Sequence, residues 1–215
     1  MNKNYINNNF KNSQPFFWFY KLKGKSLINT EQEFYLSKDL PPKISLRFLE
    51  TRGFIRQSLG LLFNINPLDV PLFSKPNRPP FMKNDFGFIS ISHCSDALIF
   101  VWDKQRIGVD LERKDRIFNH QTIYKKLLKD RNNINKKVFE RLDILNLWCT
   151  YEAAIKWQRG SIISDINFWE FEEFQQIMIN KNKNIILNVK QFYFYEWTIS
   201  FASLNKYKLP IVCYS

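Results

Sequence analysis

Cysteine and histidine are both scarce in this chain. Its three cysteines, Cys94, Cys149 and Cys213, form neither a disulfide framework nor a zinc-ligand pattern. With only two histidines, no Ser-His-Asp or Cys-His set offers a protein nucleophile. No apolar run reaches the length needed to span a bilayer. The opening Met1-Asn2-Lys3-Asn4-Tyr5-Ile6-Asn7-Asn8-Asn9 is too polar for a signal peptide, and Pro15 to Tyr20 is too short an apolar core. A cytoplasmic protein with reduced thiols and no membrane partner is expected. Apolar residues make up 45% of the 215, many of them Phe and Trp, so the chain can bury a core and disorder is excluded as its general state. Acidic residues are outnumbered, 20 against 32 basic, for a formal charge of +12. Such a surface favours acidic partners.

Two acids stand two apart at the end of an apolar run, Ile107-Gly108-Val109-Asp110-Leu111-Glu112. Period-two alternation reads this segment as a strand with both carboxylates on one face, beside a glycine that leaves room for a ligand. Downstream, Trp148-Cys149-Thr150-Tyr151-Glu152-Ala153-Ala154-Ile155-Lys156 reads as a helix, with Glu152 and Lys156 one turn apart on one side. They sit at the shoulder of an apolar stripe formed by Ile144, Trp148, Tyr151 and Ile155. Three carboxylates able to converge beside a cation suit a hard divalent ion holding a phosphate chain. Each residue also has a plainer reading. Asp110 and Glu112 fit the wet face of a half-buried strand, Glu152 and Lys156 an ordinary helix pair. His93 fits a structural histidine, and Arg47, Arg52 and Lys75 fit surface charges.

The order of elements follows from periodicity and turn chemistry. A first strand is expected over Phe16 to Leu22, then a polar loop through Asn29. Pro41-Pro42 opens a helix running through Arg47, Leu49, Arg52, Ile55, Leu59 and Leu62. A proline-rich connector leads to strands near 86–92, 97–102 and 107–112, with Asp103-Lys104-Gln105 turning between the last two. Helices are expected over about 119–130 and 136–158, the second stopped by Gly160. Strands follow around 167–179, 184–190, 192–203 and 209–213. The fold class expected is α+β. Basic residues crowd Arg113 to Arg141, including Arg116, Lys125, Lys126, Lys129, Arg131, Lys136 and Lys137. That stretch fits either a solvated face or a dock for an acidic macromolecule. A nucleic-acid partner is not expected, because only Phe118, Tyr124 and Phe139 interleave these charges.

Taken in order, Ser92-His93, Gly108-Val109-Asp110-Leu111-Glu112 and Trp148-x-x-x-Glu152-Ala153-x-x-Lys156 resemble the motif set of the 4′-phosphopantetheinyl transferases. Upstream, Leu40-Pro41-Pro42, Phe48-Leu49-Glu50-Thr51-Arg52 and Ser74-Lys75-Pro76 are similar to that family's arginine-bearing helix and Gly-Lys-Pro turn. Downstream, Lys156-Trp157-Gln158-Arg159-Gly160 continues like its compact bacterial members. The resemblance covers roughly residues 40 to 165. It implies two similar α+β lobes in pseudo-twofold arrangement, residues 1–115 and 116–215, each an antiparallel sheet packed with a long helix, with the active site between them. It also implies transfer of phosphopantetheine from coenzyme A to a serine of an acidic acyl or peptidyl carrier protein, as in fatty acid biosynthesis, releasing 3′,5′-ADP. Mg²⁺, or Mn²⁺ in its place, would be held by Asp110, Glu112 and Glu152. Glu152 would take the serine proton and Lys156 would balance the leaving pyrophosphate. His93, after Ser92, would donate to a phosphate, and Arg52 and Lys75 would hold the 3′-phosphate and adenine end. A monomer is expected. The chain departs from the pattern in Tyr151 for a lysine, Cys94 for a serine and Ser74 for a glycine. A non-catalytic coenzyme A or carrier-protein binder on the same fold is the alternative.

Overall fold

The structure, a computed structural model, describes residues 14–25, 27–73, 78–83, 86–119, 123, 127, 141–207 and 211–214. In chain order the described elements begin with β1 (Phe16–Lys21), α1 (Glu31–Ser37), α2 (Pro42–Phe63), β2 (Leu72–Phe73), β3 (Phe81–Met82), β4 (Phe88–His93), β5 (Ala97–Asp103) and β6 (Ile107–Arg113). They continue with α3 (Arg141–Gln158), α4 (Ile162–Asp165), β7 (Trp169–Glu172), β8 (Ile177–Asn180), β9 (Ile185–Phe194), β10 (Trp197–Ser203) and β11 (Ile211–Tyr214). The architecture is mixed α+β. The chain forms two compact units, one of Met1–Ile91, Ser95–Gln105 and Leu209–Ser215, the other of Ser92–Cys94 and Arg106–Lys208. β6 thus belongs to the second unit and the C-terminal strand to the first.

In the first unit, α2 packs on a sheet of strand order β11-β1-β5-β4. Pro42 takes the first helical position, where its missing N–H costs nothing. Phe54, Ile55, Leu59 and Phe63 of α2 meet Trp18, Tyr20, Phe100 and Trp102 of the sheet in one buried core. The Tyr20 and Phe54 rings stack 4.3 Å apart. This sheet is not wholly antiparallel, as expected for each lobe, because β11 lies parallel to β1, Phe16 against Ile211. Parallel strands need a long crossover, and here every other described element of the chain lies between the two strands in sequence. α1 lies between the polar loop expected through Asn29 and the helix expected from Pro41, in a stretch to which periodicity assigns no element. Its signal is the capping box at Thr30, whose hydroxyl accepts from the Glu33 N–H while Glu33 Oε2 accepts from the Thr30 N–H.

In the second unit, α3 packs on an antiparallel sheet of order β6-β10-β9-β8-β7. Tyr151, Ala153, Ala154, Ile155 and Trp157 of α3 bury against Trp169, Met178, Leu187, Val189 and Ala202. β5 and β6 do not pair, although only Lys104, Gln105 and Arg106 separate them. Each joins a different sheet. The strand expected over 167–179 is two, β7 and β8, because Glu172 accepts the Phe174 and Gln175 N–H groups in a turn. The expected helix over 119–130 and residues 136–140 of the next lie largely outside the described residues.

Candidate functional site

Alternation along β6 points Gly108, Asp110 and Glu112 to the face that α3 covers. Gly108 meets the helix, and it leaves no room for a ligand. A Cβ there would collide with the Ala153 carbonyl oxygen and stand 2.6 Å from the Trp157 nitrogen. The glycine therefore lets α3 lie against β6. The indole Nε1 of Trp157 donates to the Arg106 carbonyl at 2.8 Å and fixes the pair in register. This close approach brings the Glu152 and Lys156 turn of α3 to Asp110.

Around Asp110 the motif residues gather within the second unit. Ser92, at the end of β4, donates from Oγ to Asp110 Oδ1 at 2.7 Å. Lys156 Nζ donates to the same Oδ1 at 2.6 Å and to Ser92 Oγ at 2.8 Å. Glu152 Oε2 lies 3.7 Å from Lys156 Nζ. Ser92 and Asp110 are buried, while Glu152 and Lys156 are partly open to solvent. The other Asp110 oxygen, Oδ2, is buried without a hydrogen-bond partner. Cys149 lies below. Burial pushes its thiol well above the ordinary value, and the Asp110 charge adds to the shift. Behind them, Ser200 is the cross-strand neighbour of Asp110 and bonds Thr150 at 3.1 Å. Gln191 Nε2 donates to Thr150 Oγ1 and, at 2.8 Å, to the Asn146 carbonyl. This lattice of hydroxyls and amides was not foreseen. Its signal is the run of Thr198 and Ser200 opposite Glu112 and Asp110.

The charges in the cluster shift one another. Burial raises the Glu152 carboxyl to about 7, the Asp110 charge adds to this, and Lys156, Arg116 and the Trp148 indole work against it. Burial works to lower the Lys156 ammonium, but Asp110 and Glu152 outweigh it and hold the group above its ordinary value. A lysine held so firmly charged cannot deprotonate Ser92, whose own proton already goes to Asp110. The contact is therefore not a Ser-Lys nucleophile.

Not every expected residue joins. Glu112, also buried, is covered by the Arg116 guanidinium, so the three carboxylates do not form a ready cage. Among the described residues no group of three or more acidic, histidine or cysteine side chains is arranged to hold a metal ion. Lys156 bridges Asp110 and Glu152, and Arg116 takes Glu112. The donor set is nonetheless all oxygen, and the orphaned Asp110 Oδ2 retains capacity for a hard cation. His93 follows Ser92 on β4 and is exposed; alternation turns it to the other face. Arg52 lies on α2 in the first unit, buried, with its guanidinium 5.1 Å from the centre of the Phe48 ring. Burial brings it down to about 10, Glu33 opposes this and Arg56 adds to it. Lys75, with Ser74 and Pro76, lies outside the described residues, as do Lys125, Lys126, Lys129, Arg131, Lys136 and Lys137. Tyr151 is a core residue, 2% exposed.

No protein-family model and no curated protein matches the chain. The site's chemistry rests on its own geometry. No helix among the described residues is long and apolar enough to cross a membrane.

Proposed function

We propose that this chain transfers the 4′-phosphopantetheine arm of coenzyme A to a serine hydroxyl of an acidic acyl or peptidyl carrier protein, releasing 3′,5′-ADP. The observation that carries the reading is the cluster of Ser92, Asp110, Glu152 and Lys156. Three motifs resembling the transferase set, spread over more than sixty residues (Ser92 to Lys156), meet at hydrogen-bond and ion-pair distance. The same reading takes the two units as copies of one α+β lobe.

The reaction makes a bond from the serine oxygen to the phosphorus bearing the pantetheine arm. It breaks the pyrophosphate bond, and 3′,5′-ADP leaves with the electron pair. Its main obstacle is the negative charge on the pyrophosphate. Mg²⁺, or Mn²⁺, held by Asp110 and Glu152 and by Glu112 once Arg116 releases it, would supply charge neutralisation. Glu152 is suited to receive the serine proton, because its carboxylate stands at the cluster beside Lys156 and is partly open to solvent. Lys156 stays charged and balances the leaving group. Ser92 and Asp110 fix its ammonium by two short bonds, so the cation is positioned before substrate arrives. The resemblance assigns Arg52 and Lys75 to the 3′-phosphate and adenine end, and His93 to a phosphate.

The test is mass spectrometry of apo carrier proteins incubated with this protein, coenzyme A and Mg²⁺. A carrier should gain the mass of phosphopantetheine, and Glu112→Gln should slow the transfer on the order of a hundredfold without changing the melting temperature. No gain with fatty acid, polyketide or peptide carriers would overturn the reading. The burial of Tyr151, where the family carries a lysine, favours a second reading as a coenzyme A binder without transfer. Calorimetric binding of coenzyme A with no carrier modified would establish it.

A further inference from the structure

β9 is ten residues long and β8 only four. Their register runs from Ile177 against Asn188 to Asn180 against Ile185. One further bond, Val189 N–H to the Gln176 carbonyl at 2.9 Å, closes the pairing. On its other side β9 stays paired with β10 without interruption, from Asn188 to Phe194. The outer edge of β9 from Lys190 to Phe194 therefore has no strand beside it among the described residues. Its polarity follows from the last bond. Val189 directs its N–H toward β8, so by alternation Gln191 and Tyr193 direct their N–H and C=O groups outward. Among the described residues no strand takes these ladder groups, and they are of the kind that accept an added strand.

Beside this edge, where β8 stops, lies a cavity of about 340 Å³. Phe174, Gln176, Lys190, Phe201, Lys206 and Tyr207 line it. Phe201 and Tyr207 form an aromatic wall with ring centres 6.5 Å apart, and Lys190 and Lys206 are exposed. At the far end of the edge, Lys114 Nζ donates to the Tyr195 carbonyl at 2.6 Å and stands 4.6 Å from the centre of the Tyr193 ring. The Tyr193 hydroxyl accepts from Asn146 Nδ2 at 2.6 Å, which anchors the edge to α3. The edge is thus anchored to α3, has backbone groups without a strand partner among the described residues, opens onto a cavity and carries lysines at both ends.

We propose that the β9 edge from Lys190 to Phe194, with its adjoining cavity, docks an extended acidic segment of a partner protein, added as a strand alongside β9. Charge selects this occupant over a second copy of the chain. Antiparallel pairing of two such edges would bring Lys190 and Lys206 of one molecule against the Lys114 end of the other, within a chain of formal charge +12. Lysine on a free edge opposes self-association for this reason, and the same charge attracts a strand bearing Glu or Asp. Backbone bonds to Gln191 and Tyr193 supply the pairing. Side chains of the added strand alternate between the cavity and the α3 face. This inference does not depend on the transferase reading, and it concerns backbone and side chains apart from Asp110.

The probe is a fluorescein-labelled octapeptide of alternating glutamate and valine, followed by anisotropy with the full chain. Its lysine-valine counterpart and a helical acidic peptide of equal charge serve as comparisons. The glutamate-valine peptide should bind and the other two should not. Binding should slow amide hydrogen exchange at Gln191 and Tyr193. Tyr193→Pro removes one outward N–H together with the Asn146 anchor and should weaken binding about tenfold, while Tyr193→Phe, which loses the anchor alone, should bind as the wild type does. The double change Lys190→Glu and Lys206→Glu leaves the backbone intact and should transfer preference to the lysine-valine peptide. Several results would overturn the proposal. These are equal binding of the helical peptide, binding without protection at the two amides, unchanged preference in the double variant, no binding at all, or a sedimenting dimer in which those amides are already protected.

Discussion

Glu152 gathers the conflict within the cluster, since burial and the Asp110 charge favour its protonated form while Lys156 favours the carboxylate. Its value of about 7, above the ordinary 4.5, makes stability depend on pH with a definite sign. The folded state holds this proton more tightly than the unfolded chain. The associated stability is complete below about 4.5 and is lost as pH rises through about 7. Glu152→Gln cannot lose it. In chelator, the variant should therefore gain on the wild type between pH 5 and pH 8, by on the order of 2 kcal/mol. Urea unfolding of both proteins at the two pH values checks this, and parallel pH curves would contradict it. Tyr151 behaves as core. Tyr151→Lys puts an ammonium among Ala154, Ile155 and their neighbours, and should cost ~3 kcal/mol with a clear fall in melting temperature. A thermal melt that does not move would show that the ring can leave the core and that the family's lysine is admissible there.

Element packing decides whether the cluster exists at all. β6 and α3 are joined where Gly108 admits the helix backbone, so Gly108→Ala should separate them by the width of a methyl group. The expected loss is roughly 2–3 kcal/mol, together with loss of transfer, because Lys156 then moves off Asp110. Calorimetric melting beside the carrier-protein assay measures both; a variant that melts like the wild type would contradict the close packing. The end of α3 illustrates how local chemistry can be shared between neighbours. Gly160 closes the helix by donating its N–H to the Ile155 carbonyl at 3.0 Å, but the left-handed position is taken by Arg159, with φ of 59°. The stop was legible at Gly160, while its distribution over two residues was not, since Arg159 carries no sequence mark of positive φ.

At the scale of the whole molecule, the proposed transfer to an acidic carrier would be aided by long-range attraction, given the formal charge of +12. The rate at limiting carrier protein should fall several-fold between ~0.05 and ~0.5 M salt, while the dependence on coenzyme A at saturating carrier changes less. Stopped-flow or mass-spectrometric rates across that range test it; a salt-independent rate would place recognition outside the surface charge. The sequence by itself determined the α+β class, the strand holding Asp110 and Glu112 and the helix holding Glu152 and Lys156. These rest on local periodicity, which the chain displays in a few consecutive residues. Several things were decided only by tertiary packing. β5 and β6 separate into different sheets, β11 returns parallel to β1, and Arg116 covers Glu112 while Lys156 takes Asp110. Gly108 reads as space for a ligand in one dimension and proves to be the contact of a helix in three. The physical reason is the same in each case. Strand partners and charge partners are chosen among residues far apart in the chain, by which surfaces can be buried together, and no local pattern records that choice.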